Sequence, residues 1–162
     1  MTNNTILVVD DDNTNLALAQ KILMPRYRIA ASNSGMGALK YLENHQPALI
    51  LLDINMPDMD GFEVMEELHR REVIKSIPVI FLTADNLAET EVKCFQMGAM
   101  DFVTKPFVPD ILRSRVDKTI ELDQYRHNLE NMVKEQAEKI TEVIRLRKII
   151  LDEIERKRAN RQ

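Results

Sequence analysis

No uninterrupted apolar run in this 162-residue chain approaches the roughly 18 residues that a membrane-spanning helix requires. The opening residues, MTNNTILVVDDD, also lack the basic start and long apolar stretch of a secretory signal. A cytoplasmic protein without membrane contact is therefore expected. Cysteine is scarce as well: Cys94 stands alone, so it has no internal disulfide partner, and no His or Cys lies near it at metal-ligand spacing. A reducing compartment and a plain core or surface role fit it best. Beyond Pro109 there is neither proline nor glycine, the two residues that most readily break a helix.

What is present is an ordinary globular composition, 44% hydrophobic, which suffices for a sizeable core. The formal charge of −4 hides an asymmetry. Residues 1 to 112 hold 9 Lys/Arg against 16 Asp/Glu, whereas residues 113 to 162 hold 13 against 10. An acidic first part is either a solvated surface or a cation site, and the placement of the acids separates the two.

Apolar, β-branched-rich runs occur at Ile6 to Val9, Arg28 to Ala31, Ala48 to Leu52 and Pro78 to Leu82, with a shorter one at Phe102 to Thr104. Runs that are apolar throughout predict strands covered on both faces, as in a parallel sheet. Stripes at helical spacing fall between them: Leu16, Ala19, Ile22 and Leu23, then Leu39 and Leu42, then Phe62, Met65 and Leu68, then Val92, Phe95 and Met97. This alternation predicts a doubly wound α/β sheet with its site at the carboxyl ends of the strands. Asp10 and Asp11 follow the first strand, Asp53 and Thr83 end the third and fourth, and Lys105 follows the fifth, all on that edge.

The tail predicts one continuous helix from about Asp110 to about Arg158. As heptads, Leu122, Leu129, Gln136, Val143 and Ile150 fall at d, and Arg126, Val133, Ile140, Arg147 and Ile154 at a. The stretch from Asp123 to Arg158 would run on the order of 54 Å, too long to be covered by a small domain, so a coiled coil is expected, with a two-stranded parallel one favoured. Ala137, Ile144 and Leu151 at e widen its apolar face, which leaves a higher oligomer or a downstream domain open.

Asp10, Asp11 and Asp53 would repel one another on one edge unless a cation or raised pKa values relieved them. Magnesium prefers oxygen ligands and suits an acidic site without His or Cys. A carboxylate beside it can attack phosphorus, with the Lys105 ammonium and the Thr83 hydroxyl facing the phosphoryl oxygens. Taken singly, each residue has a plainer reading: a strand-end Asp as a turn or cap, Lys105 as a surface charge, Thr83 as a helix cap. Asp12 is expected to cap the first helix, Asn15 and Asp58 are read as structural, and Met56 and Phe107 as packing.

The segments VVDDD at 8 to 12, LLDINMPDMDG at 51 to 61, FLTAD at 81 to 85 and GAMDFVTKPF at 98 to 107 closely resemble the bacterial response regulator receiver domain. The resemblance covers about residues 5 to 120 and implies a flavodoxin-like sheet of strand order 2-1-3-4-5; together with the heptads it divides the chain into a receiver at residues 1–120 and a coiled-coil extension or linker at residues 121–162. It implies Asp53 as the acceptor of a phosphoryl group from a histidine kinase or phosphotransfer protein. It further implies magnesium on Asp11, Asp53 and the Asn55 backbone carbonyl, with Asp10 acting mostly through water. Thr83 and Phe102 match the family's switch pair, and Lys105-Pro106 its cis peptide.

Three functions come into question for such a chain. A signalling module that dimerises through its last helix comes first, either alone or as the input part of a regulator whose effector, for example a cyclic-dinucleotide synthase or hydrolase, lies beyond the coil. An aspartate-based phosphatase would need a further acid or base, yet His45, His69 and His127 belong to predicted helices or their ends, so no turnover is expected. A nucleic-acid partner is not expected either: Arg156, Lys157, Arg158 and Arg161 are interleaved with acids and complement a helix C-terminus.

Overall fold

The computed structural model describes residues 4–162. Five strands, β1 (Thr5–Val9), β2 (Arg28–Ser32), β3 (Leu49–Asp53), β4 (Val79–Thr83) and β5 (Asp101–Thr104), form one parallel sheet in the order β2-β1-β3-β4-β5. Between them run α1 (Asn13–Leu23), α2 (Gly35–Leu42), α3 (Gly61–Arg70) and α4 (Ala88–Gln96), and the last helix is α5 (Pro109–Ala159). The five runs expected as strands are strands, shifted by at most a residue or two at their ends. A 3-10 turn at Val73–Lys75 was not anticipated.

Alternation along the strands divides the core in two. Leu7, Val9, Ile50, Leu52, Val79 and Phe81 face one layer, with Leu39, Met65 and Leu68 from the helices. Their neighbours Ile6, Val8, Leu49, Leu51, Ile80 and Leu82 face the other, with Leu16, Ile22, Leu112 and Val116. Because β1, β3 and β4 are covered on both sides, their sequences are nearly continuous apolar runs. The edge strand β2 is half-exposed, which agrees with its more mixed sequence.

Local chemistry sets the helix starts. Asp12 caps α1, its carboxylate accepting from the Thr14 amide at 2.8 Å. Asp60 and Glu63 form a reciprocal capping box on α3, each carboxylate accepting from the other's amide at 2.8 Å. Gly98, at φ 93, turns the chain after α4 towards β5, a conformation that side chains resist.

The stripe expected on α4 is the exception. Val92 and Phe95 are exposed, and the buried residue is Cys94. The covered side runs through Thr90, Glu91, Cys94 and Met97, where two polar residues mask the helical period and a cysteine serves as a small apolar filler.

The chain divides into two compact units, one ending at Leu122 and the other Asp123–Gln162. The second unit is helical throughout nearly all its length, with local ion pairs such as Glu142–Arg145 (2.6 Å) and Glu153–Arg156 (3.1 Å). Every residue from 128 to 162 is exposed, including Leu129, Val133, Ile140, Val143, Ile150 and Ile154. Among the described residues no helix is long and apolar enough to cross a membrane.

Candidate functional site

Parallel pairing brings the carboxyl ends of β1, β3, β4 and β5 together, and the chain leaves each strand through a polar residue. Asp10 follows Val9, with its amide donating to Ser32 O at 3.1 Å. Its Oδ1 accepts from the Asp12 amide at 2.9 Å, which fixes the β1–α1 turn. Asp53 is the last residue of β3, paired in register with Leu82. Lys105 follows β5, its amide donating to Thr83 O at 2.7 Å, and the Lys105–Pro106 peptide is cis as expected.

The ammonium of Lys105 lies between two carboxylates, 2.8 Å from Asp10 Oδ2 and 2.9 Å from Asp53 Oδ1. Both contacts are ion pairs. Ligand oxygens of Asp10, Asp11 and Asp53 all lie within 4.8 Å of one another. Asp10 and Asp53 are buried, at 0% and 2% exposure. Asp11 is exposed.

Burial pushes the Asp53 carboxyl up to about 6, against the pull of Lys105, with the Asp10 and Asp11 charges adding to the rise. For Lys105 burial acts downward, but Asp10 and Asp53 outweigh it and hold the ammonium above its ordinary range. Three acids thus share one cation, and an unbalanced negative charge remains. An all-oxygen donor set of this kind fits a hard divalent ion such as magnesium. Exposed acidic groups also occur without one, but here two of the three are buried.

Thr83 is buried at the end of β4, and its hydroxyl is engaged elsewhere: it donates to Asp85 O at 3.0 Å and accepts from the Asp85 amide at 2.9 Å. Phe102 is half-buried, edge-on to Phe95 with centroids 5.8 Å apart and with the Arg115 guanidinium 5.7 Å from its ring. Asn55 lies exposed on the β3–α3 loop, two residues past Asp53. Met56 and Phe107 pack in the core, as expected.

Two residues of the site escaped sequence reasoning. Gly61 opens α3 where its amide donates to Ile54 O at 2.8 Å. A Cβ there would lie 2.8 Å from Ile54 Cα and closer still to the Asp53 carbonyl, so only glycine lets α3 start against the backbone of Asp53. The Asp-x-x-Glu spacing of the capping box was the available signal for this helix start. Asp85 is the second, and nothing in its sequence neighbourhood announces its role.

A doubly wound sheet of this strand order, with buried acids gathered around one lysine at its carboxyl edge, defines an α/β domain of the flavodoxin-like class. The response regulator receiver domain matches residues 6–117, and the chain belongs to that family. A probable cyclic di-GMP phosphodiesterase of Vibrio cholerae serotype O1 is 44% identical over 112 residues, 69% of this chain but 25% of its own length. Regulatory protein AtoC of Escherichia coli K12 is 33% identical over 130 residues, 80% of this chain and 28% of its own length. Among solved structures, the chemotaxis protein CheY4 of Vibrio cholerae aligns with a TM-score of 0.68 at 25% identity, covering 73% of this chain and 99% of that one.

Proposed function

We propose that the chain is a phosphorylation-controlled signalling module in which Asp53 accepts a phosphoryl group from a histidine kinase or phosphotransfer protein. The carrying observation is the Lys105 ammonium 2.9 Å from Asp53 Oδ1, with Asp10 and Asp11 gathered beside it. Asp10, Asp11, Asp53 and the Asn55 carbonyl would hold a magnesium ion, which supplies charge neutralisation between the carboxylate and the incoming phosphoryl oxygens. The Asp53 carboxylate attacks phosphorus and the donor's leaving group departs with the bonding electrons. Lys105 keeps one carboxylate oxygen oriented and offers its charge to the transferred group. No turnover is assigned to the domain, since the described histidines serve elsewhere, His45 against Tyr41 O, His69 against Met97 O and His127 against Asp123.

The exposed a and d residues of the second unit support homodimerisation through residues 122–154, a seam on which Leu129, Val133, Ile140 and Val143 have no apolar cover of their own. A second reading is that this module is the input of a longer regulator. It is favoured by the fact that the chain spans only 25% and 28% of the two curated relatives described above.

Incubation with radiolabelled acetyl phosphate and magnesium tests the acceptor. Labelling that needs the metal and disappears in Asp53→Asn is expected; equal labelling of Asp53→Asn would overturn the assignment.

A further inference from the structure

A hydroxyl has one proton to donate. That of Thr83 is spent on Asp85 O, 3.0 Å away, while the Asp85 amide donates back to Thr83 Oγ1 at 2.9 Å. The Asp85 side chain is in turn fully used at the start of α4. Its Oδ1 accepts from the Leu87 amide at 2.8 Å and its Oδ2 from the Thr90 hydroxyl at 3.0 Å. Leu87 is the capping position of α4 and makes no side-chain cap of its own, and Asp85 ties the chain just before the helix to Thr90 in its first turn.

We propose that Asp85 is the latch of the phosphoryl response: its carboxylate, anchored at Leu87 and Thr90, holds its own backbone against the Thr83 hydroxyl and so withholds that hydroxyl from Asp53. The inference rests on the reading of Asp53 as phosphoacceptor. A phosphoryl group on Asp53 can draw the Thr83 proton only by taking it from Asp85 O. Release of that bond loosens the turn that Asp85 ties to α4, whose exposed Leu87, Val92 and Phe95 would carry the change outward. Asp85 touches neither acceptor nor metal ligand in this arrangement. It is a positioning residue, acting through Thr83.

The latched population lowers the apparent affinity for any ligand that needs the hydroxyl free. The test is a binding cycle on the full 162-residue chain, with beryllofluoride and magnesium as the phosphoryl mimic, read by titration calorimetry. Asp85→Ala is expected to tighten binding about tenfold, the scale of one to two net hydrogen bonds. Thr90→Val removes one anchor only and is expected to tighten it about threefold, which keeps the idea testable should Asp85→Ala fold poorly. In a Thr83→Ala background both gains should vanish, because the latch has nothing left to hold; a merely structural effect on α4 would persist there. Unchanged or weaker binding in Asp85→Ala and Thr90→Val, or gains that survive in Thr83→Ala, would overturn the latch while leaving the phosphoacceptor reading intact. A wild-type chain that neither binds the mimic nor labels with acetyl phosphate would overturn both.

Discussion

Leu39 in α2 and Ile140 in α5 are the same kind of residue, each apolar on a helical stripe, yet one is 3% exposed and the other 60%. The first unit supplies its own cover: every strand lies against helices, and apolar residues of both layers interlock. The second unit is a helix because nothing in it breaks a helix and local ion pairs support it, but a single helix cannot bury its own stripe. The first unit therefore buries its own stripes, whereas the apolar residues of the second unit lie exposed in this chain.

The sharpest way to separate the two regions is to disable each in turn. Asp53→Asn should abolish labelling by acetyl phosphate, a loss of well over about a hundredfold, while leaving the solution mass unchanged. Conversely, the paired change Ile140→Glu and Val143→Glu should weaken self-association about a hundredfold or more in sedimentation equilibrium, since it places four like charges in one dimer seam. Labelling of Asp53 should stay within about twofold of the parent in that variant, because the receiver's core does not include these residues. A matching loss of labelling would break the comparison.

A smaller effect probes the receiver's own close packing. Gly61→Ala forces a methyl into the backbone of Asp53 and Ile54, and should lower stability by about 2–4 kcal/mol in urea titration as well as slow labelling. Smaller again, and opposite in sign, is the effect of Asp53 itself. Its carboxyl rises from 3.8 to about 6 on folding, chiefly through burial, so the folded chain holds a proton there that the unfolded chain has already released. Above about pH 6 the fold must carry a buried charge; below about pH 4 both states are protonated and the burden is gone. Without magnesium, Asp53→Asn should therefore stabilise the chain by about 1–3 kcal/mol at pH 7.5, and by progressively less as the pH falls from 6 towards 4. Thermal melts at several pH values check this, and a gain that grows on acidification would contradict it.

Much of the receiver was legible because its signals are local and repeated. The runs of β1, β3 and β4 are apolar on both faces, each of the first three helices shows a spaced stripe, and the acids and lysine stand where strands end. The misreading of α4 has the opposite cause. Its inward side carries Thr90 and Glu91 beside Cys94, while Val92 and Phe95 point to solvent, so hydrophobicity gives the wrong face. Gly61 and Asp85 were missed because their roles are defined by other segments: a glycine is required only once β3 lies against it, and an aspartate latches only once Thr83 and Thr90 converge on it. Long-range geometry of this kind leaves no period in a sequence.

Chemical trapping of the acyl phosphate tests the central claim most directly. The chain, treated with acetyl phosphate and magnesium, is reduced with borohydride, which converts a phosphorylated aspartate to homoserine, and the digest is read by mass spectrometry. Conversion at residue 53 and at no other aspartate is the predicted result. An unmodified Asp53, or homoserine at Asp10 or Asp11 in its place, would contradict the account.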